Sequence, residues 1–199
     1  MAENGELCFG TIETYLIWNL TEEKNHKTDA TNASRTMLMN LETLGWDDSL
    51  LEIFDIPKNI LPEICSCDDN FGSIGAYDQK FPITGVIGDQ QSALFGQNCF
   101  EFGEMKSTYG TGCFLMVNTK EKIYESQARL LSTVGCMLGK NVSYALEGSI
   151  FSAGTSIQWL RDEMQFFDDS SESEELINED FDSRGVNFIP AFTLSLIHI

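Results

Sequence analysis

Positive charge is scarce in this chain: 12 Lys and Arg stand against 31 Asp and Glu in 199 residues, a net charge of -19. A phosphate backbone or an anionic bilayer needs a cationic footprint, so neither nucleic acid nor a membrane surface is expected as a partner. Histidine is nearly missing. With only His26 and His198 present, no Ser/His/Asp relay can be assembled. No run of residues approaches the roughly 20 apolar positions that span a bilayer. The opening "MAENGELCFG" lacks the basic start and apolar middle of a signal peptide, so a cytoplasmic protein is expected. The six cysteines never fall into C-x-x-C spacing and read as free thiols; Cys65 and Cys67 form a C-x-C that fits loop thiols better than metal ligands. The lysine of a P-loop and the glycine spacing of a dinucleotide fingerprint are missing too, so any nucleotide must be held in another way.

What is present suits a globular chain of one large or two small domains, since 42% hydrophobic residues suffice for a core. "FGTIETYLIWNLT" begins extended and then sets Ile12, Tyr15, Leu16 and Trp18 at helical spacing behind Thr11 as cap. "DDSLLEIFD" reads as a short helix with acidic residues in its first turn. Residues 65 to 80 carry turn formers without periodicity and read as a connection. "PITGVIG" then reads as a buried strand and "DQQSALFGQ" as the helix after it, a βα unit that suits a parallel α/β sheet. Beyond Gly103 the texture changes: "EMKSTYG" and "CFLMVNT" read as a hairpin around a Gly-rich reversal, "VSYALEG" as a strand, and "SIFSAGTSIQWLRDEM" as a helix with Ile150, Ile157, Leu160 and Met164 on its apolar face. "DDSSESEELINEDFD" reads as an acidic solvated face, and "GVNFIPAFT" as a closing strand.

Three short stretches hold groups that chemistry could use. Asp89 follows Gly88 at a strand-to-helix junction, where a carboxylate commonly caps the helix. The same position, at the carboxyl end of a parallel strand, is where open α/β sheets place ligands, so a base or a polar-ligand contact fits as well. Gln90 and Gln91 add amides suited to hydroxyls. In "STYGTGCF" two glycines flank Thr111, which suits either a tight hairpin turn or a close backbone approach to a phosphate. Gly154 and Gln158 lie four apart on one helical face, giving a gap and an amide on the same side, or simply a close packing contact.

Taken in order, "FGTIETYLIWNLT", "TDATNASRTML", "GDQQSALFGQ", "STYGTGCFLMVNT" and "YALEGSIFSAGTSIQWLRDEM" resemble the glycerol-phosphorylating members of the FGGY carbohydrate kinase family, from about residue 5 to residue 193. That resemblance implies an α/β chain of the ribonuclease H-like, actin-like ATPase fold, with parts of two domains and an active-site cleft between them. Residues 1–98 would be the later part of the N-terminal substrate domain and 99–193 the first part of the C-terminal nucleotide domain. The implied activity is ATP-dependent phosphorylation of glycerol to sn-glycerol 3-phosphate, with Mg2+ offsetting the repulsion between a carboxylate and the γ-phosphate. By position, Asp89 matches the general base, Gln90 a glycerol-hydroxyl contact, and Phe114 an apolar contact to glycerol. Thr111 matches a nucleotide-phosphate contact, and Gly154 and Gln158 match positions lining the ATP site. The resemblance assigns no protein-held metal and allows a homo-oligomer of the longer protein.

The same resemblance marks departures. The family's first phosphate loop and later adenine site are missing, so Met1 reads as an internal methionine and the chain as a truncated piece with little or no activity alone. Residues 194–199, "LSLIHI", back-translate to CTG TCT CTT ATA CAC ATC, the end sequence of a transposase adapter, and are expected not to derive from the protein. Two other readings stay open: a relative acting on a pentulose or gluconate, and a non-catalytic acidic interaction domain using residues 168 to 182.

Overall fold

The computed structural model describes residues 1–76, 79–177 and 182–192; the end 194–199 and part of the acidic run therefore lie outside the described residues. Helix α1 (Ile12–Leu20) starts behind Thr11 as expected, although the Thr11 hydroxyl donates to Glu13 rather than capping the helix backbone. It buries Thr14 and Ile17 and ends where Thr21 turns extended and bonds back to the Ile17 carbonyl. Strand β1 (Lys27–Asp29) leads directly into the one-turn helix α2 (Ala30–Ala33). Strands β2 (Met39–Asn40) and β3 (Gly45–Trp46) pair antiparallel. Helix α3 (Asp48–Phe54) is capped by Asp47, whose carboxylate accepts the Ser49 and Leu50 amides, and it ends at Asp55 in the left-handed region, φ 54°. Leu51 on its inner side packs with Leu38 and Leu61.

Strand β4 (Glu63–Cys65) pairs with β1 in parallel, Thr28 opposite Ile64. The described part of residues 65 to 80 is more ordered than turn composition suggests. Strands β5 (Ser73–Ala76) and β6 (Gln79–Pro82) form an antiparallel pair with Ile74 opposite Phe81; two four-residue strands carry too little alternation for a pattern to register. The expected buried strand over "PITGVIG" is not formed beyond Pro82. Residues 83 to 88 run without regular structure, joined to the preceding connection by single bonds such as Ile83 N–H to Gly72 and Val86 N–H to Cys67. Helix α4 (Asp89–Gly96) follows.

Strands β7 (Met105–Tyr109), β8 (Cys113–Lys120), β9 (Leu131–Leu138) and β10 (Asn141–Ile150) make one sheet in the order β7-β8-β10-β9. The β9 and β10 pair is antiparallel, with a bulge between Ser143 and Tyr144. Helix α5 (Gly154–Asp162) begins five residues later than the apolar spacing implies, because Ser149 and Ile150 still belong to β10. Ile150 and Met164 are therefore not on its face. The acidic run forms only the short helix α6 (Glu172–Glu175) within the described residues, and 186 to 192 form no strand. Those last residues are held instead by aromatic contacts, with Phe188 and Phe192 against Trp159 at ring-centroid distances of 5.8 and 5.5 Å. Among the described residues no helix is long and apolar enough to cross a membrane.

The chain divides into two compact units, Met1–Lys106 with Met116–Glu147, and Ser107–Leu115 with Gly148–Ile199. In the first, one core cluster joins Ala30, Ala33 and Met39 to Val134 and Tyr144, and another joins Leu94 and Cys99 to Met116 and Ala145. Arg35, just past α2, reaches β10 through a two-pronged pair with Glu147, at 2.9 and 3.1 Å. The Glu147 side chain is 5% exposed and that of Arg35 37%. One guanidinium N–H donates to Glu147 Oε1 while the other terminal nitrogen lies against Oε2 as an ion pair, a two-point contact that an ammonium cannot reproduce.

Arg35→Ala should therefore lower unfolding stability by about 2–4 kcal/mol, toward the lower end because Arg35 is partly solvated, and Arg35→Lys should recover only part of that in urea titrations. The α3 cap gives a pH signature. The Asn40 amide and the Leu50 and Ser49 N–H groups hold the Asp47 carboxyl below its ordinary value. A depressed folded-state pKa means the cap is intact above about pH 4, the ordinary aspartate value, and is lost as pH falls through the folded value. Carboxyl NMR titration should show Asp47 ionising below the ordinary aspartate range, with Asn40→Ala moving it back up.

Candidate active site

The first group of predicted residues sits at the start of α4, in the first unit. Gly88, not Asp89, occupies the cap position, with φ -61° and ψ 150° and no side chain to offer. Asp89 is thus the first helical residue, which corrects the capping role that spacing favours. Its Oδ1 accepts the Gln90 amide at 2.7 Å. Its Oδ2 makes no hydrogen bond among the described residues, and the side chain is exposed. One oxygen is thereby held in place while the other is open to accept a hydroxyl proton. The helix start favours negative charge at this position.

Gln90 lies beside it, half-buried, and its Oε1 accepts the Lys106 ammonium. That leaves the Gln90 Nε2 as the atom able to donate to a hydroxyl. Lys106 is a functional candidate that pattern reading misses. It fills the inward position of β7 and is 5% exposed, while Met105 and Ser107 on either side face out. The readable signal was a lysine where alternation calls for an apolar side chain.

The second group lies in the other unit. Thr111 stands exposed at the tip of the Gly110-Thr111-Gly112 turn, which is closed by the Gly110 N–H to the Gly112 carbonyl at 2.8 Å. The turn rests on the start of α5. The Gly110 carbonyl accepts the Gly154 amide at 3.0 Å, and the Thr111 carbonyl accepts the Ala153 and Thr155 amides at 2.9 and 3.2 Å. The Thr155 hydroxyl adds a bond to that same Thr111 carbonyl at 3.0 Å. Helix-start donors are thus satisfied by the turn. Phe114, half-buried in β8, comes within 3.5 Å of the space a side chain at Gly112 would fill. Gln158 lies one turn along α5 from Gly154, on the same side and exposed. So Thr111, Gly112, Phe114 and Gly154 are brought together, with Gln158 one helical turn away.

Gly154 and Gly112 are required by packing. A Cβ on Gly154 would lie 2.4 Å from the Gly110 oxygen, and one on Gly112 2.7 Å from the Ile150 oxygen. A cavity of about 330 Å³ lies elsewhere, lined by residues such as Phe9, Tyr15, Trp18 and His26, and none of the predicted residues borders it. Among the described residues no group of three or more His, Cys, Asp or Glu is placed to hold a metal ion.

Comparison with known proteins identifies the family. The N-terminal domain profile of the FGGY family of carbohydrate kinases matches residues 1–96, and the C-terminal domain profile of that family matches 105–196. The chain belongs to the FGGY family of carbohydrate kinases. It is 53% identical over 194 residues to the glycerol kinase of Alteromonas mediterranea and 51% identical over 197 residues to glycerol kinase 1 of Pseudomonas aeruginosa. In each case 96% of this chain aligns, against 39% of the relative, so it spans well under half the length of the curated FGGY proteins it matches. A crystal structure of Plasmodium falciparum glycerol kinase with ADP superposes with a TM-score of 0.79 at 46% identity, covering 84% of this chain and 34% of that one. A gluconate kinase from Lactobacillus acidophilus, at 24% identity and a TM-score of 0.69, shares the fold. The actin-like α/β fold of these FGGY sugar kinases is therefore the fold of this chain.

Gly154→Ala should cost about 1–3 kcal/mol, because the clash is with backbone that cannot swing away. Unfolding by urea measures the loss, and amide shifts confined to Gly110, Thr111 and the first turn of α5 locate it. Gly96→Ala, a helical glycine where a Cβ meets nothing within 4 Å, is the control and should be neutral to slightly stabilising.

Proposed function

We propose that this chain carries the catalytic base and part of the nucleotide contacts of an enzyme that phosphorylates glycerol with ATP. The observation that carries the reading is Asp89: an exposed carboxylate at a helix start, one oxygen pinned by the next amide and the other open. Identity of 50 to 53% to glycerol kinases across 96% of the chain supports glycerol as the acceptor. A primary hydroxyl is a weak nucleophile at neutral pH, and Asp89 accepting its proton through Oδ2 assists in-line attack on the γ-phosphorus. Gln90 donates through Nε2 to a second hydroxyl, and Phe114 gives the carbon backbone of glycerol an apolar contact. In the other unit Thr111 meets the nucleotide phosphates, while Gly154 and Gln158 line the nucleotide's position. Mg2+ enters with ATP as the substrate complex. Among the described residues no group of three or more His, Cys, Asp or Glu is gathered at one point.

The domain boundary belongs to the same proposal: substrate domain to residue 98, nucleotide domain from 99 to 193. The gap between the profile matches, 96 to 105, supports it, although compact packing draws part of the later stretch, Met116–Glu147, into the first unit.

The test uses the complete product of the parent gene. Coupled ADP-release assays should show turnover with glycerol and a far lower kcat/KM with a pentulose or gluconate. Asp89→Asn should lower kcat by about 10²- to 10⁴-fold with little change in the KM for ATP. Retained turnover in Asp89→Asn removes the base assignment, and preference for a pentulose or gluconate removes glycerol.

A further inference from the structure

The stretch "TDATNASRT" carries family resemblance but has no part in the chemistry proposed above. In the structure it builds a buried polar cluster behind the start of α4. Asp29 has no exposed surface. Its Oδ2 accepts the Thr31 amide at 2.8 Å, the Thr31 hydroxyl, and the Cys67 thiol at 3.4 Å. Its Oδ1 accepts the Asn32 amide at 3.3 Å and the Asn32 side-chain NH2 at 2.6 Å. The neighbouring Cys136 sulfur, burial and the Asp29 charge all push the Cys67 thiol up, so it remains a neutral donor to Asp29.

With five donors around it, Asp29 only accepts. The Thr31 hydroxyl therefore commits its one hydrogen to Asp29, and its lone pair faces outward. There it accepts the Gly88 N–H at 2.8 Å. Gly88 immediately precedes Asp89, and its own carbonyl accepts the Ser92 amide at 2.7 Å as the first bond of α4. A second tether runs from the buried Gln91 amide to the Thr133 hydroxyl at 3.5 Å, and Thr133 meets Ser34 at 2.8 Å. A Cβ on Gly88 would lie 2.6 Å from the Gln91 Oε1 and 3.5 Å from the Thr31 Oγ1. The start of α4 is thus located by hydrogen bonds whose direction is set at Asp29.

From this we infer that Thr31, oriented by Asp29, is a positioning residue for Asp89: it fixes Gly88 and hence where the carboxylate meets its substrate hydroxyl. The inference rests on the role proposed for Asp89 and adds residues that never touch substrate. A shift of the carboxylate by about 1 Å is enough to cost up to about 100-fold in rate, so the hydroxyl of Thr31 should be visible in kcat.

The experiment compares wild type, Thr31→Val, Thr31→Ser, Asp89→Asn and the Thr31→Val/Asp89→Asn double variant of the complete protein, each verified as folded by near-UV circular dichroism. Thr31→Val keeps the side-chain shape but can neither donate to Asp29 nor accept from Gly88. It should lower kcat by about 10- to 100-fold while the KM for ATP stays within a few-fold. Thr31→Ser should restore most of that turnover. In the Asp89→Asn background the Thr31→Val change should have almost no further effect, because residues acting through one group are not additive. Unchanged kcat in folded Thr31→Val, failure of Thr31→Ser to restore it, or a full additional loss in the double variant overturns the inference. If Thr31→Val does not fold, Thr31→Ala, which also lacks the hydroxyl, takes its place with the same expectation, and unchanged kcat in folded Thr31→Ala overturns the inference. An inactive wild type or an active Asp89→Asn removes the underlying role of Asp89 instead, so the two failures are told apart.

Discussion

A carboxylate with no exposed surface leaves the chain around it few choices, and Asp29 is such a carboxylate. Burying it without partners would cost several kcal/mol, so each of its lone pairs has to be met. The local sequence meets that demand within four residues: Thr31 and Asn32 supply two amides, a hydroxyl and a carboxamide. The need also explains why β1 breaks straight into a one-turn helix, since Asp29 caps α2 with the same oxygens. From this knot the first unit extends in two directions. Ala30 and Ala33, the apolar side of α2, enter the core with Val134 and Tyr144, while Ser34 and Arg35 tie the following turn to β9 and β10.

Much of this architecture was readable from residue order where local signals were strong. Helices α1, α3 and α4 follow apolar spacing and acidic first turns, and β7, β8 and β10 follow short strand-forming stretches set off by glycine. The segments that escaped reading share a physical cause. The β5 and β6 pair is stabilised by pairing across strands too short to show a period, and β9, whose partner is the longer β10, gains its order from that neighbour rather than from its own pattern. Conversely, "PITGVIG" has the composition of a buried strand yet finds only isolated backbone partners, and composition without a ladder does not make a strand. The end of the chain errs in the same direction: "GVNFIPAF" is apolar enough for a strand, but its aromatic side chains dock on Trp159 and leave the backbone irregular.

The candidate site divides along a similar line. Asp89 was visible as a residue but not as a role, because a carboxylate at a helix start serves capping and catalysis equally well; the base role proposed for it rests on family resemblance, not on spacing. Buried polar residues were harder to see: a lysine at an inward position of β7 was a readable sign, but it did not say what Lys106 meets. Lys106 and Thr31 belong to residue types that usually face water, and nothing in a one-dimensional pattern says that one sits under Gln90 and the other under Gly88. Their positions follow from tertiary hydrogen bonding, which a polar interior makes obligatory only after the chain has folded.

The turn at Gly110 to Gly112 shows how the same reasoning changes the meaning of a motif. Glycines beside a threonine suggest a cradle open to phosphate, and a glycine opening a helix suggests a phosphate on the helix dipole. Here the carbonyls of Gly110 and Thr111 already take the amides of Ala153, Gly154 and Thr155. The donors that would bind an anion at the start of α5 are engaged by the chain itself, and Gly154 is needed because a Cβ there would strike the Gly110 oxygen. The glycines therefore serve to dock the turn on the helix, which leaves Thr111 exposed at its tip as the side chain this turn presents. A side chain presented on a support fixed in this way differs from a P-loop, where a lysine and a nest of backbone amides share the work.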